Sequence, residues 1–353
     1  MSQASLQSPQ EPLRCGLLQC ELQGLWDSLT PEQLAPWQAR VQAWTGKGEE
    51  LRKNFPIVDA LAQFREADLE PFRHQALELR ANCDDIILVG SSFLLDLARL
   101  HQLFEGPPGR APRLHLPRGK DWENRLLPAL EGVGSRVGVV ILGWNPGDLN
   151  WERTVPPVVA WMRARYRDEE LARRLVAVSK RPISKLLDLP MHMLSVSDRA
   201  QLLPIYSGLG LFPLFLAGFE ASSLVEGARS QVRSLEKSWG LQNPLIRLAI
   251  LRQVLTFQEG WGEVVITPDR FLEPLGLWVQ QLLGGSCLGV EPPLAYPFPH
   301  LQCLDHFMAQ ADPTPQTFEI QIDYGGIQDL ERASMERETP ALWLGMPRLD
   351  MYT

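Results

Sequence analysis

The sequence predicts an α/β protein made of two units of alternating strands and helices, wound on parallel sheets, with a helical segment ahead of them. Three observations carry this expectation. Ile86–Val89 is a short apolar run that ends on Gly90-Ser91-Ser92 and passes into the helical run FLLDLARLHQLF, as at the entry to a parallel α/β unit. Val137–Leu142 is an uninterrupted apolar run followed by a helical stretch. The same alternation returns after residue 240, and alternating strands and helices of this kind favour a doubly wound sheet.

Taken in order, residues 1–12 are polar and rich in Pro and Gln, and are expected to be disordered. Residues 13–80 read mostly as helices. PEQLAPWQARVQAW carries apolar residues at helical spacing, and Thr30 with Glu32 and Gln33 supplies a start signal. Trp26, Trp37 and Trp44 read as core or cover, with an aromatic binding surface as the functional alternative. Residues 81–200 form the first unit. Beyond the opening strand come the breaker EGPPGRAP, a strand RLHLP, a helix DWENRLLPAL, the strand Val137–Leu142, a helix over about Thr154–Tyr166 and a strand at Leu175–Val178.

Residues 201–353 form the second unit. Asn243 as N-cap and Pro244 at the first helical position open a helix to about Phe257. Glu263–Ile266 reads as a strand, Pro268–Leu283 as a helix, 291–300 as a Pro-rich loop, Leu301–Ala311 as a helix and Thr317–Asp323 as a strand. The segment 327–353 begins helically and then trails off.

Composition excludes several function classes. With 45% hydrophobic and 22% charged residues among 353, the chain is of ordinary globular type. A formal net charge of −8 argues against broad nucleic-acid binding, which needs basic surface to displace counterions. It also offers no long-range attraction to an anion, although a local positive pocket stays compatible with it. The five cysteines (Cys15, Cys20, Cys83, Cys287 and Cys303) are odd in number and have no CxxC spacing, against a disulfide framework or a structural zinc. The opening MSQASLQSPQEP lacks the basic start and apolar core of a signal peptide. The most apolar run, Leu209–Phe219, is shorter than the roughly 20 residues needed to span a bilayer. A cytoplasmic protein without membrane or nucleic-acid partners is expected.

The most specific segment is Tyr206–Arg229, YSGLGLFPLFLAGFEASSLVEGAR. Leu209-Gly210-Leu211-Phe212-Pro213, closed by Ala217-Gly218-Phe219, matches a VGLLPAALAGID-like run. Leu224-Val225-Glu226-Gly227-Ala228 matches an LLEGA-like run. Farther on, Asn243–Leu251 matches an NPALRLAL-like helix, and Thr267–Ser286 a helix ending in QLxxES. These runs, in this order, resemble the glucose-6-phosphate isomerase family. The likeness covers roughly residues 70–325 and implies two sugar-isomerase (SIS) domains, each a flavodoxin-like αβα sandwich, with a phosphorylated sugar as ligand and no cofactor; it leaves a homodimer open.

Sugar-phosphate isomerisation needs donors for the phosphate, a group that opens the ring, a carboxylate that carries a proton between two carbons, and a cation for the enediolate. The resemblance tells where each would sit. The family's GGS loop falls on Gly90-Ser91-Ser92, which either contacts the phosphate or caps the following helix. Its hydroxyl-rich second phosphate loop falls on Gly143-Trp144-Asn145-Pro146-Gly147-Asp148. There the hydroxyls are absent, Pro146 lacks an amide donor and Asp148 repels an anion. The Arg of the family's GGR motif falls on Leu202, with Arg199 three residues before it. The catalytic Glu falls on Gly285, and Glu291 is the nearest carboxylate. His306, after Asp305 and with Gln310 four residues on, matches the ring-opening His. It reads equally as an acid/base or as a residue kept for dimer packing. The family pattern continues through another helical region that this chain does not match. The expectation is a shortened, catalytically degenerate isomerase-like protein, with sugar-phosphate binding weak or lost. A working isomerase with a rearranged site and a structural or regulatory binding protein are the alternatives.

Overall fold

The computed structural model describes residues 13–15, 18–21, 26–27, 29–43, 59, 61, 64–90, 94–95, 98–99, 111–117, 128, 136–143, 149–180, 190–196, 207–220, 222–259, 262–267, 272–283, 300–303, 317–324 and 341–346. Along the chain these form β1 (Leu13–Cys15), β2 (Leu18–Glu21), α1 (Pro31–Ala43), a 3₁₀ turn (Glu66–Leu69), α2 (Glu70–Asn82), β3 (Asp85–Gly90), β4 (Arg113–His115), β5 (Val137–Leu142), α3 (Leu149–Arg165), α4 (Asp168–Arg174), β6 (Leu175–Ser179) and β7 (His192–Ser195). Then follow α5 (Gly208–Ala217), α6 (Ser222–Lys237), α7 (Pro244–Arg252) with a π-helical extension to Gln258, β8 (Gly262–Thr267), α8 (Glu273–Leu283), β9 (His300–Cys303), β10 (Thr317–Tyr324) and β11 (Ala341–Met346).

The first sheet has the order β4-β3-β5-β6-β7, parallel throughout. Counted from β3 this is 2-1-3-4-5, the flavodoxin-like winding. Its central strands are buried on both faces, which is why they read as unbroken apolar runs. One face carries α2 and α5. There Leu69, Phe72, Ala76 and Leu79 meet Leu209, Leu211, Phe212 and Leu216 over Ile86, Leu88, Val140 and Val176. The other face carries α3 and α4, with Trp151, Val155, Val158, Met162 and Leu171 on Ile87, Val89, Val139 and Ile141. The two faces use alternate residues of the same strands, as the period-2 pleat requires.

α5 is apolar all round and all ten of its residues are buried. Ser207 caps it, accepting the Leu209 amide at 3.2 Å. Gly218, at φ +94°, ends it in the left-handed conformation while the Phe219 amide turns back to the Leu214 carbonyl. The sequence pattern places this helix in the second unit, whereas here it packs on the first sheet.

The second sheet has the order β1-β2-β11-β10-β8-β9, in which β8 to β11 are parallel. Counted from β8, their arrangement repeats the first four positions of the first sheet. Where the first sheet adds the parallel β7, the second adds the antiparallel β2, paired through Cys20 and Leu344, with β1 outside it. Residues 13–21 fall in the stretch 13–80 that reads mostly as helices. They form this hairpin because the open edge of β11 supplies the backbone partners, and a run of three or four residues is too short to reveal its period.

The expected helix Leu301–Ala311 is corrected at its start, where β9 runs parallel to β8 with His300 opposite Val264. Helix α3 starts at Leu149, five residues before its expected start, and continues through Pro156 and Pro157. Thr30 forms the capping box anticipated for α1: its amide reaches Gln33 Oε1 at 2.8 Å, and the Gln33 amide reaches its hydroxyl at 3.3 Å. α1 then packs with Val41, Trp37 and Leu29 on Ile246, Ile250 and Val254 of α7 and its extension. Trp26 and Trp37 are thus cover for a core, each faced by a guanidinium, Arg247 and Arg40 respectively. Trp44 lies outside the described residues.

Candidate ligand crevice at the switch point of the first sheet

In a sheet wound 2-1-3-4-5, the crossovers leave the first and third strands in opposite directions, and a crevice opens beyond their carboxyl ends. Here those strands are β3 and β5. Gly90 closes β3 and Gly143 follows β5, so the first residue of each expected phosphate loop lies at this mouth.

Gly90 is fixed by close approach of the two strands. A Cβ there would lie 2.6 Å from the Leu142 carbonyl oxygen. Gly143 turns the chain at φ +67°, a conformation glycine adopts without steric cost. Its amide donates to the Val178 carbonyl at 2.7 Å, and its carbonyl accepts the Trp151 indole N–H at 3.2 Å. A Cβ on Gly143 would lie 2.8 Å from Leu94 Cδ1 and 3.9 Å from Leu209 Cδ2. Ser179, at the end of β6, is buried, and its carbonyl accepts the Val196 amide at 3.3 Å. The described part of the mouth is therefore lined by an indole and two leucines, and both backbone polar groups of Gly143 are engaged within the protein.

Charged groups gather elsewhere. At the opposite end of β3, the buried Asp85 carboxylate accepts from Arg113 Nη2 at 2.8 Å and contacts His115 Nε2 at 2.7 Å. The parallel register places Arg113 opposite Asp85 and His115 two residues farther along β4. Neighbouring Asp84 takes the Arg136 guanidinium through both oxygens at 3.2 Å. These pairs fasten β3 to β4 and β5 at the end away from the crevice.

A second charged group joins α2 to the start of α6. Arg73 reaches Glu66, Glu70 and Glu220 at 3.0, 2.5 and 2.6 Å. Burial pushes the Glu220 carboxyl up, but the Arg73 guanidinium and the Ser222 amide outweigh it and hold the group below its ordinary value. A cavity of about 330 Å³ lies alongside, between the 3₁₀ turn and the LVEGA-like run. Its charged lining is internally matched. Glu66 pairs with Arg73, Glu226 pairs with Arg233 at 2.5 Å, and Arg229 donates to the Leu61 and Phe64 carbonyls.

Of the residues of the expected site, the structure thus places Gly90 and Gly143. Ser91, Ser92, Arg199, Glu291, His306 and Gln310 lie outside the described residues, as do Trp144–Asp148 and Gly285. Among the described residues, no group of three His, Cys, Asp or Glu side chains could hold a metal, and no helix is long and apolar enough to cross a membrane. Sequence reasoning missed Trp151 and Leu94 at the mouth and the Asp85–His115–Arg113 group. The available signal for the latter was an acid opening one strand and basic residues at alternate positions of the next.

No family model matches the chain. It is 26% identical over 231 residues to the glucose-6-phosphate isomerase of Heliobacterium modesticaldum, covering 59% of this chain and 50% of that protein. The chain spans about half the length of the curated relatives it matches. Among solved structures, glucose-6-phosphate isomerase from Chlamydia trachomatis superposes with a TM-score of 0.66 at 15% identity, over 97% of this chain and 81% of that one. A hypothetical protein from Thermus thermophilus gives a TM-score of 0.66 at 16% identity, over 95% of this chain and 89% of that one. The fold is thus α/β with the flavodoxin-like parallel winding, and it is shared with the Chlamydia trachomatis isomerase. In sequence the chain is similar to glucose-6-phosphate isomerases at 26% identity.

Proposed function

We propose that this protein is a catalytically degenerate glucose-6-phosphate isomerase-like protein that retains at most weak binding of a phosphorylated sugar. The observation that carries the reading is the described part of the switch-point mouth, where Trp151, Leu94 and Leu209 surround a Gly143 whose amide and carbonyl are both engaged, while a phosphate would need unengaged donors. The sequence supports it independently. Gly285 stands where the resemblance requires the carboxylate base, and Leu202 where it requires the cation. Loss of a positioned base alone costs about 10²–10⁴ in rate.

The test is a coupled assay of the purified protein with fructose 6-phosphate, following glucose 6-phosphate, beside a thermal melt with each sugar phosphate. The expected result is no turnover above background and a small, saturable rise in Tm, because a ligand of the native state raises stability by mass action. Turnover that is abolished by His306→Ala would establish a working isomerase instead. A flat assay with a flat melt would leave a structural or regulatory role.

A further inference from the structure

We propose that the first two turns of α3, residues 149–155, are a hinged plug over the switch-point crevice, latched by Trp151 on the Gly143 carbonyl. That a sugar phosphate is what opening admits rests on the functional reading above; the opening itself does not.

Three independent features of the segment support this. The latch is the hydrogen bond of 3.2 Å from the Trp151 indole to the carbonyl of the glycine that ends β5. It joins the start of α3 to the floor of the crevice. The hinge is Pro156-Pro157, in the middle of a 17-residue helix. Neither proline has an amide hydrogen, so the ladder bonds to the carbonyls of residues 152 and 153 are missing. The first turns keep the bonds made by amides 153–155, but two successive rungs that would tie them to the rest of the helix are absent. Helices bend at such breaks.

The third feature is Thr154. It is fully buried, and its hydroxyl has no hydrogen-bond partner among the described residues. A buried polar group without a partner disfavours the state that buries it. Outward rotation of the plug hydrates this hydroxyl, so the closed state carries a penalty that opening removes. Working against opening are Trp151 and Val155, which are 8% and 0% exposed and sit in the apolar layer on Ile87, Val89 and Ile141. Beyond the hinge, Val158, Val159 and Met162 hold the rest of α3 on the sheet. The closed state therefore dominates, and the first turns open as a unit smaller than the helix. A ligand that fits the uncovered mouth shifts the population toward the open state by its preference for it.

Hydrogen exchange of the full chain tests the plug. The prolines divide the probes: amides 153–155 report on the first turns and amides 160–165, whose acceptors lie beyond the plug, on the remainder. The expected result is that 153–155 exchange about tenfold or more faster than 160–165 under native conditions, as a local opening requires. Trp151→Phe, which keeps a ring and removes the donor, should accelerate 153–155 further and leave 160–165 and β5 unchanged. Pro156→Ala with Pro157→Ala restores both rungs and should slow 153–155 toward the rest of the helix, a change that misfolding cannot imitate. Equal exchange on the two sides of the prolines in all three proteins would overturn the plug. Glucose 6-phosphate is then added. Altered exchange at 153–155, with tighter binding by Trp151→Phe, ties the plug to the sugar-phosphate site. Fast local exchange that ignores glucose 6-phosphate leaves the plug standing and removes the sugar-phosphate reading.

Discussion

Gly208, at the head of α5, lies against the ring of Phe72 in α2: a Cβ at 208 would sit 2.0 Å from Phe72 Cε1 and 2.3 Å from Cζ. Phe72 is 6% exposed and meets Phe212 edge to face at 6.3 Å between centroids, so its ring has nowhere to retreat. Gly208→Ala should therefore destabilise the protein by about 1–3 kcal/mol, the usual cost of overpacking a tight core. Phe72→Ala removes the obstacle at the cost of a cavity. The double variant should be more stable than the sum of the single losses predicts, as for any pair in contact. Urea unfolding of the four proteins decides this, and strict additivity would mean that α5 shifts away from α2 instead.

Glu220 gives the native state a pH dependence on the acid side. Its carboxyl lies below its ordinary value of 4.5 because Arg73 and the Ser222 amide outweigh the effect of burial. A group depressed in this way contributes stability above its unfolded pKa and loses it as pH falls through the folded one. Tm should thus decline between about pH 5 and about pH 3, and Glu220→Gln should lower Tm at neutral pH and flatten that decline. Glu226, depressed chiefly by Arg233, adds a slope of the same sign. The difference between variant and parent isolates Glu220, and parallel curves would show that Arg73 is served by Glu66 and Glu70 alone.

The first sheet was the most legible part of the sequence, for a physical reason. Strands such as Ile86–Val89 and Val137–Leu142 are covered on both faces, so burial writes every position as apolar. β7 and β11 gave no comparable signal. β7 is an edge strand of four residues with two exposed, and β1 and β2 are shorter than a period-2 pattern needs. The family-like run at 206–229 was legible as a likeness, yet the structure shows that its first half serves packing: α5 is wholly interior, and Gly208 is set by Phe72. At the mouth, Gly90 and Gly143 were visible as the first residues of the loops after two strands. Trp151 was not, because the expected helix began at Thr154 and left it in the preceding loop. A side chain that reaches back eight residues to a carbonyl leaves no mark in local pattern.

Asp85 is the one acidic side chain among the described buried residues, and Arg113 and His115 reach it from a neighbouring strand of three residues. Asp85→Asn keeps the shape but removes the charge that Arg113 and His115 face. Weakening the hydrogen bonds made to this buried carboxylate predicts destabilisation of about 1.5–3 kcal/mol, the range for bonds to charged groups. Arg113→Ala should cost less, since its guanidinium is largely solvated while the carboxylate keeps His115. Chemical denaturation of both variants tests the order. A larger loss for Arg113→Ala would place the weight on the guanidinium rather than on the interior acid.

Cys83 predicts a loss of stability on the alkaline side. The thiol is 2% exposed, packed so closely on β5 that a Cβ on Gly138 would lie 2.8 Å from its sulfur. Burial pushes its pKa from 9.0 up to about 11, against the pull of Arg174 and Arg136. Between those values the unfolded chain releases the thiol proton and the native state retains it. The native state then binds more protons, so stability falls as pH rises through that window. Cys83→Ala should remove this part of the alkaline slope, whatever offset the lost sulfur leaves at neutral pH. Alkylation supplies a second readout. In the native protein at mildly basic pH, Cys83 should stay unmodified while denaturant exposes it, because the reactive species is the thiolate. Rapid native labelling of Cys83, or identical alkaline slopes for variant and parent, would show that the α2–β5 contact opens without global unfolding.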